Sequence, residues 1–379
     1  MSSPERAKVL LLIPHLGGGG AERVIATLAR CLSPEKYEVH LGLVTQSAQA
    51  MQNVPELNSV YALGARRVRY GAWKILRLVW LERPAVILSG MAHLNVLVLA
   101  LRPLFSSRTR VVIRQNGAIA ATLAVWGNSR FLRRIYSATY KRADMVICQT
   151  HQMAEELYST LGIDRAKLAV LPNPVDVAAI RVSADAETTE IPTSSGLRLL
   201  AVARLAPEKG VDLLLEAFAG VLRRFPSADL RIAGDGSCRP ALERQCKHLG
   251  IEQRVKFLGN VAEPASLFRC ASLFVLSSRE EAMPNALLEA AAAGLPIVAT
   301  PASPGLAAVL NGQPGTWLVR EISAKAVKTT LCDALSSIHA GQRFRHAWIE
   351  PFDLRNAIPA YERVIDRALQ ERILQERTT

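Results

Sequence analysis

Short apolar runs alternate with longer amphipathic stretches along almost the whole chain. Val9–Ile13 is an unbroken aliphatic run, followed by four glycines and a helical pattern over Ala21–Leu32. Val39–Val44 is a second run. A helical pattern near Ala72–Leu81 leads to the run Ala85–Leu88, and Val111–Arg114, Met145–Gln149 and Leu168–Leu171 continue the series. Short continuous apolar runs fit strands covered on both faces. Strands separated by helices pair in parallel, so the pattern predicts a doubly wound α/β sheet.

The stretch 183–196 is polar and poor in hydrophobic residues, which predicts a linker. The alternation then restarts. Leu197–Ala203, Leu230–Ala233, Val255–Leu258, Ala271–Ser277 and Pro296–Thr300 read as strands. Val211–Arg224, Cys238–Leu249 and Asn285–Ala293 read as helices, and a last helical run extends from Ile358 to about Glu376. With 379 residues, two cores are expected. The predicted organisation is an N-terminal domain over 1–182, a linker over 183–196 and a second domain over 197–356. A C-terminal helix over about 357–379 completes it.

Composition narrows the function classes. Half of the residues are hydrophobic and 21% are charged, which excludes a disordered chain. The cysteines Cys31, Cys148, Cys238, Cys246, Cys270 and Cys332 show no Cys-x-x-Cys spacing, which argues for a reducing compartment rather than zinc or disulfides. No run approaches the roughly 18 apolar residues of a membrane helix. The net charge of +13 is one-sided: residues 1–182 hold 23 lysines and arginines against 11 acidic residues. Arg66, Arg67, Arg69, Lys74 and Arg77 flank Tyr70, Trp73 and Trp80. Arg130, Arg133 and Arg134 flank Phe131, shortly after Trp126. This pattern predicts a cytoplasmic protein held peripherally on an anionic membrane surface. No nucleic-acid module is recognisable, so no nucleic-acid partner is expected.

The candidate chemistry centres on two acids. Glu281 follows the run Ala271–Ser277, at the strand end where open α/β sheets bind ligands. Glu289 lies a turn into the next predicted helix, whose N-terminal N–H groups attract anions. Two acids beside backbone donors suit a ligand with both hydroxyls and phosphate, such as a sugar nucleotide.

The segment Glu281-Ala-Met283-Pro284-Asn285-Ala-Leu-Leu-Glu289-Ala resembles the glutamate signature of the retaining glycosyltransferases of family 4, group 1, with Ala282 where that family usually has glycine. The resemblance extends over nearly the whole chain. Arg204-Leu-Ala-Pro-Glu-Lys209-Gly210 is similar to the family's diphosphate-binding motif. The loop Gly17-Gly18-Gly19-Gly20-Ala-Glu22-Arg23 is similar to its first glycine loop. Ala233-Gly234-Asp-Gly236 and Phe257-Leu-Gly-Asn260-Val261 are similar to its turns near the donor. Leu171-Pro-Asn173-Pro-Val-Asp176 is similar to its hinge segment.

That resemblance implies the GT-B fold: two Rossmann-like domains facing each other across a cleft, the first binding acceptor and the second donor. It implies that Glu281 contacts the transferred sugar and Glu289 the ribose. Arg204 and Lys209 then hold the diphosphate without a metal, while Gly17, Gly18, Gly19, Gly234, Val261, Met283, Pro284 and Asn285 line the donor. Many relatives carry a histidine where this chain has Asn116, so Asn116 and the nearby His93 are the candidate acceptor-side groups, with His15 behind them. The implied activity moves a hexose or N-acetylhexosamine from a nucleotide-diphosphate sugar, a UDP-sugar before a GDP-sugar, with no other cofactor. The acceptor is a cell-envelope glycan or lipid-linked sugar, and the protein a monomer or weak dimer. An inactive GT-B scaffold or a sugar-nucleotide epimerase are the alternatives.

Overall fold

The computed structural model describes residues 6–17, 19–45, 59–117, 119, 123, 130–185, 196–261, 265–339 and 341–378. Gly18, Trp126 and most of the expected linker lie outside the described residues. Contacts divide the chain into two compact units, Met1–Pro174 with Leu354–Thr379, and Val175–Asp353.

In unit 1 the chain runs β1 (Ala7–Ile13), α1 (Gly20–Cys31), β2 (Tyr37–Leu43), β3 (Ser59–Ala62), α2 (Ala72–Glu82), β4 (Val86–Gly90) and α3 (Ala92–Leu101). It continues through β5 (Arg110–Arg114), α4 (Arg130–Tyr140), β6 (Met145–Cys148), α5 (His151–Leu161) and β7 (Leu168–Val170). Among the described residues these strands form one parallel sheet, ordered β3-β2-β1-β4-β5-β6-β7. Central β1 explains its sequence: Val9 to Ile13 are all fully buried, because helices cover both faces.

Unit 2 runs α6 (Val177–Asp185), β8 (Arg198–Val202), α7 (Val211–Val221), β9 (Asp229–Ala233), α8 (Arg239–Leu249), β10 (Val255–Gly259) and α9 (Ala265–Cys270). Then follow β11 (Leu273–Leu276), α10 (Asn285–Ala292), β12 (Ile297–Ala299), α11 (Pro304–Leu310), β13 (Thr316–Leu318) and α12 (Ala324–Ser337). Its parallel sheet is ordered β10-β9-β8-β11-β12-β13. Apolar clusters line the two faces, one with α7 and α12, the other with α10 and α11.

Each sheet changes direction once. β1 sits between β2 and β4, and β8 between β9 and β11. At such a point the flanking connections leave to opposite sides and open a crevice at the strands' C-terminal ends. The crevices therefore lie beyond Ile13 and Gly90 in unit 1, and beyond Val202 and Leu276 in unit 2.

The unit boundary differs from the expected 182/183. It falls between Pro174 and Val175, because Val175 before α6 and Val177 at its start bury in the unit 2 core, with Ile180 packed against it. Val175 also donates its N–H to the Phe352 carbonyl at 2.8 Å. The second crossing comes at Asp353/Leu354, just before α13 (Leu354–Thr378). Ile358, Tyr361, Val364, Ile365 and Ala368 then join the core of unit 1, at the i, i+3, i+4 spacing of one helix face.

Polar contacts orient that helix. Glu362 accepts from the Ser33 N–H at 2.9 Å and from Lys36 at 3.2 Å, and the Tyr37 hydroxyl donates to Asp366 at 2.5 Å. The Glu362 side chain is 11% exposed and that of Lys36 is 55% exposed. Removing the buried acceptor strands a backbone donor, whereas removing the exposed cation does not. Glu362→Ala should therefore lower the stability of unit 1 by about 1–3 kcal/mol. Lys36→Ala should change it by about 1 kcal/mol or less. Thermal unfolding of both variants checks this; equal losses would contradict the assigned role of Glu362.

Candidate functional site

The crevice of unit 2 gathers two motifs that are far apart in sequence. The segment after β8 carries Arg204 and Lys209, and the loop after β11 carries Ser277 to Glu281. Four links hold these segments together. Ser277 Oγ donates to the Lys209 carbonyl at 3.0 Å, and the Arg279 N–H to the Glu208 carbonyl at 2.7 Å. Arg279 forks onto both carboxylate oxygens of Asp212 at 2.7 and 2.6 Å. Lys209 Nζ pairs directly with Glu281 Oε1.

Two glycines make this approach possible. Gly210 has φ +60°, and a Cβ there would lie 2.1 Å from the Ser277 carbonyl oxygen. Gly234, at φ +126° after β9, would place a Cβ 2.0 Å from the Ala203 carbonyl oxygen. Any side chain would clash with backbone at both positions, so the glycines are sterically required.

The Lys209–Glu281 pair is half-buried, with side-chain exposures of 19% and 13%. Ser278 Oγ, in a residue only 1% exposed, donates to the same Glu281 oxygen at 3.2 Å. Fully buried Thr300 fixes that loop by donating to the Ser278 carbonyl at 2.5 Å. Arg204 is exposed and pairs with Glu208 at 2.6 Å. The Arg279 guanidinium, through its hydrogen bonds and then its charge, holds the Asp212 carboxyl below the usual aspartate range. The site thus contains three cations among the described residues, Arg204, Lys209 and Arg279, each engaged by a carboxylate.

The remaining unit 2 candidates surround this centre. Pro284 precedes α10, Asn285 opens it, and half-buried Glu289 lies on it. Met283 is buried with Leu287, so its side chain serves packing. Val261 follows β10. The Gly234 N–H donates to the Gly259 carbonyl at 2.7 Å, which ties the ends of β9 and β10. Sequence reasoning did not single out Ser278, Arg279, Asp212 or Thr300. Hydroxyl residues directly after a buried strand were the available signal.

In unit 1 the glycine loop joins β1 to α1. Gly17 donates its N–H to His15 Nδ1 at 3.1 Å, and Gly19 precedes α1. Buried Glu22 on α1 lies 3.7 Å from His15 Nδ1. Beyond neighbouring β4, Met91 adopts φ +81°, a strained conformation for a side chain of this size, and α3 then presents His93 on its first turn. Desolvation by the surrounding protein, then the positive field of His15, holds His93 below the ordinary imidazole range, although its side chain keeps contact with solvent. Asn116 follows β5 at the same edge. The structure therefore groups His15, Glu22 and His93 around the β1–β4 crevice, with Asn116 one strand away.

Paired doubly wound units with polar residues at both switch points define the GT-B class. Residues 18–179 match Glycosyltransferase Family 4 and residues 196–337 match Glycosyl transferases group 1; the chain belongs to this glycosyltransferase family. It is 34% identical over 42% of its length to mannosylfructose-phosphate synthase from Agrobacterium fabrum, and spans 38% of that protein's own length. It is 27% identical over 77% of its length to a Campylobacter jejuni protein, covering 80% of that chain. That protein is N-acetylgalactosamine-N,N'-diacetylbacillosaminyl-diphospho-undecaprenol 4-alpha-N-acetylgalactosaminyltransferase. Among solved structures, Anabaena HepE in complex with UDP and glucose superposes with a TM-score of 0.71 at 18% identity, over 99% of this chain and 100% of that one.

The His93 environment yields a pH prediction. Its neutral form is favoured in the fold, so protonation begins only below the ordinary histidine range and opposes folding as pH falls through that range. His15→Asn removes the repulsive neighbour and should move the NMR titration midpoint of His93 upward, still short of the ordinary value because desolvation remains. An unchanged or lower midpoint would contradict the proximity of the two rings.

Proposed function

We propose that the chain is a retaining, metal-independent glycosyltransferase that takes a hexose or N-acetylhexosamine from a nucleotide-diphosphate sugar. Its acceptor is a glycan or lipid-linked sugar of cell-envelope polysaccharide or lipopolysaccharide. The pairing of Lys209 with Glu281 at the β8–β11 crevice carries this reading. Family membership and the UDP bound to the Anabaena relative support a UDP-sugar donor. The diphospho-undecaprenol acceptor in the name of the Campylobacter relative supports a lipid-linked acceptor.

In this scheme the donor diphosphate displaces the Glu281 carboxylate from Lys209 and draws Arg204 away from Glu208. Arg204 and Glu208 are solvated, so their separation costs about 1 kcal/mol or less. Glu281 is then free to accept from hydroxyls of the transferred sugar, while Glu289 accepts from the ribose hydroxyls. The bond from the anomeric carbon to the diphosphate oxygen breaks. A bond to the acceptor hydroxyl oxygen forms on the same face, and the hydroxyl proton passes to the departing phosphate oxygen. Fixed cations stabilise the charge that develops on the leaving group.

The basic, aromatic surface of unit 1 supports attachment to an anionic membrane. Tyr70, Trp73, Trp80, Leu81, Leu104 and Phe131 are exposed there, as are Arg66, Arg67, Arg69, Lys74 and Arg77. Trp73 and Trp80 meet edge to face at 5.7 Å, and Trp80 donates to the Leu104 carbonyl at 3.0 Å, so these apolar groups adjoin. No helix among the described residues is long and apolar enough to cross a membrane.

Two measurements test these proposals. A screen of nucleotide sugars for hydrolysis and transfer should find one active donor, with turnover unchanged by EDTA. Lys209→Ala should lower that activity roughly 10²–10³-fold, as loss of a fixed donor to a developing anion does elsewhere. Glu289→Ala should chiefly raise the donor KM. Activity lost in EDTA and restored by magnesium would contradict the use of protein cations. Separately, sedimentation with anionic vesicles should fall as salt rises, and fall further when Arg66, Arg67 and Arg69 become Ser. Salt-independent or absent binding would exclude the membrane surface.

A further inference from the structure

Arg114 ends β5 and is 1% exposed, yet among the described residues none of its hydrogen-bond partners is charged. Its Nε donates to the Tyr361 hydroxyl at 3.2 Å, and its two terminal nitrogens donate to Asn116 Oδ1 and Asn173 Oδ1. Among the described residues no carboxylate pairs with it. A guanidinium stays protonated in proteins, so unit 1 buries a full positive charge held only by neutral dipoles. Such a charge is costly unless something compensates it.

The arrangement fixes the Asn116 amide. A guanidinium offers only donors, so only Oδ1 can face Arg114, and the amide NH2 must point elsewhere. That Nδ2 is buried and has no partner. A buried donor left unmade costs about 1–3 kcal/mol, so a group that accepts from it is stabilising. The same arginine also holds α3: Asn95 on that helix donates to the Arg114 carbonyl at 3.0 Å, and Gly90 of β4 lies beside Arg114 in register. Arg114 thus connects Asn116, Asn173, the C-terminal helix through Tyr361, and the helix that carries His93.

We propose that Arg114 is a positioning residue that locks the Asn116 amide with its NH2 turned away from the guanidinium, and that its uncompensated charge makes this subsite take an anionic phosphate oxygen of the acceptor. The proposal rests on the transferase reading for the word acceptor; the anion subsite itself does not. A neutral hydroxyl would satisfy Nδ2 but leave the buried charge uncompensated. A phosphate oxygen satisfies both. Phosphate on a lipid-linked sugar and phosphate on a soluble glycan share this chemistry.

The subsite can be tested without turnover. In full-length protein labelled with ¹⁵N at asparagine, the Asn116 side-chain signal is assigned by its loss in Asn116→Asp. All samples carry Lys209→Ala to weaken anion binding in unit 2. Titration with inorganic phosphate should shift the Asn116 amide signal. Asn116→Asp places a carboxylate against Arg114, so it should raise the melting temperature and weaken the affinity for phosphate at unit 1 by about tenfold or more. Asn173→Asp compensates the same charge but keeps the Asn116 donor. It should also raise the melting temperature, with a smaller loss of phosphate affinity and the Asn116 signal still responding. Lower melting of both Asp variants would overturn the uncompensated charge. An Asn116 signal unmoved by phosphate would overturn the anion subsite, whatever the transfer assays show. With the subsite in place, a phosphorylated lipid-linked acceptor inhibiting the phosphate response indicates the lipid source, and a soluble phosphorylated glycan the other.

Discussion

Lys209 and Glu281 meet because β8 and β11 are neighbours in the sheet, although 72 residues separate the pair in sequence. That adjacency is the constraint from which the site follows. It places the segment after one strand against the loop after the other, and Gly210 lets their backbones touch. Ser277, Arg279 and Asp212 hold the contact. The result is a half-buried cation kept beside a half-buried carboxylate at the point where the sheet reverses. Two such charges, hydrogen-bonded yet within reach of solvent, form a pair that a doubly charged ligand can open.

The same topology operates in unit 1 with different chemistry. β1 and β4 flank the switch point, and the residues beyond them are His15, the glycine loop, Glu22 and His93. One strand further, β5 ends in a buried arginine rather than an ion pair. Unit 2 engages Arg204, Lys209 and Arg279 each with a carboxylate, whereas unit 1 leaves Arg114 to neutral oxygens. A site that exchanges one anion for another is prepared for release as well as binding. A site with uncompensated charge favours retention of an anionic group. This contrast distinguishes the crevices of the two units on electrostatic grounds.

Much of this was legible in the sequence. Interior strands announce themselves as unbroken apolar runs because helices cover both faces, as with Val9–Ile13. Edge strands β3 and β13 do not, since Ser59–Ala62 and Thr316–Leu318 are only partly buried and carry no such run. The glutamate segment was recognisable because Pro284, the small-residue helix and the next strand surround it. The ties from Arg279 to Asp212 and from Arg114 to Asn173 were not, because they join residues brought together only by folding. The unit boundary was placed late for a similar reason. The amphipathic start of α6 fits either core until the surface covering Val177 is known.

The central claim is that Lys209 changes partner, from Glu281 in the free protein to the diphosphate in the complex. Calorimetric titration of UDP into the wild type, Lys209→Ala, Glu281→Ala and the double variant measures that exchange as a coupling energy. UDP lacks the transferred sugar that Glu281 would hold, so Glu281→Ala should bind UDP several-fold more tightly than the wild type by releasing Lys209. Lys209→Ala should bind more weakly, and removing Glu281 in its background should bring no such gain. Strictly additive effects, or weaker UDP binding in Glu281→Ala alone, would contradict the exchange.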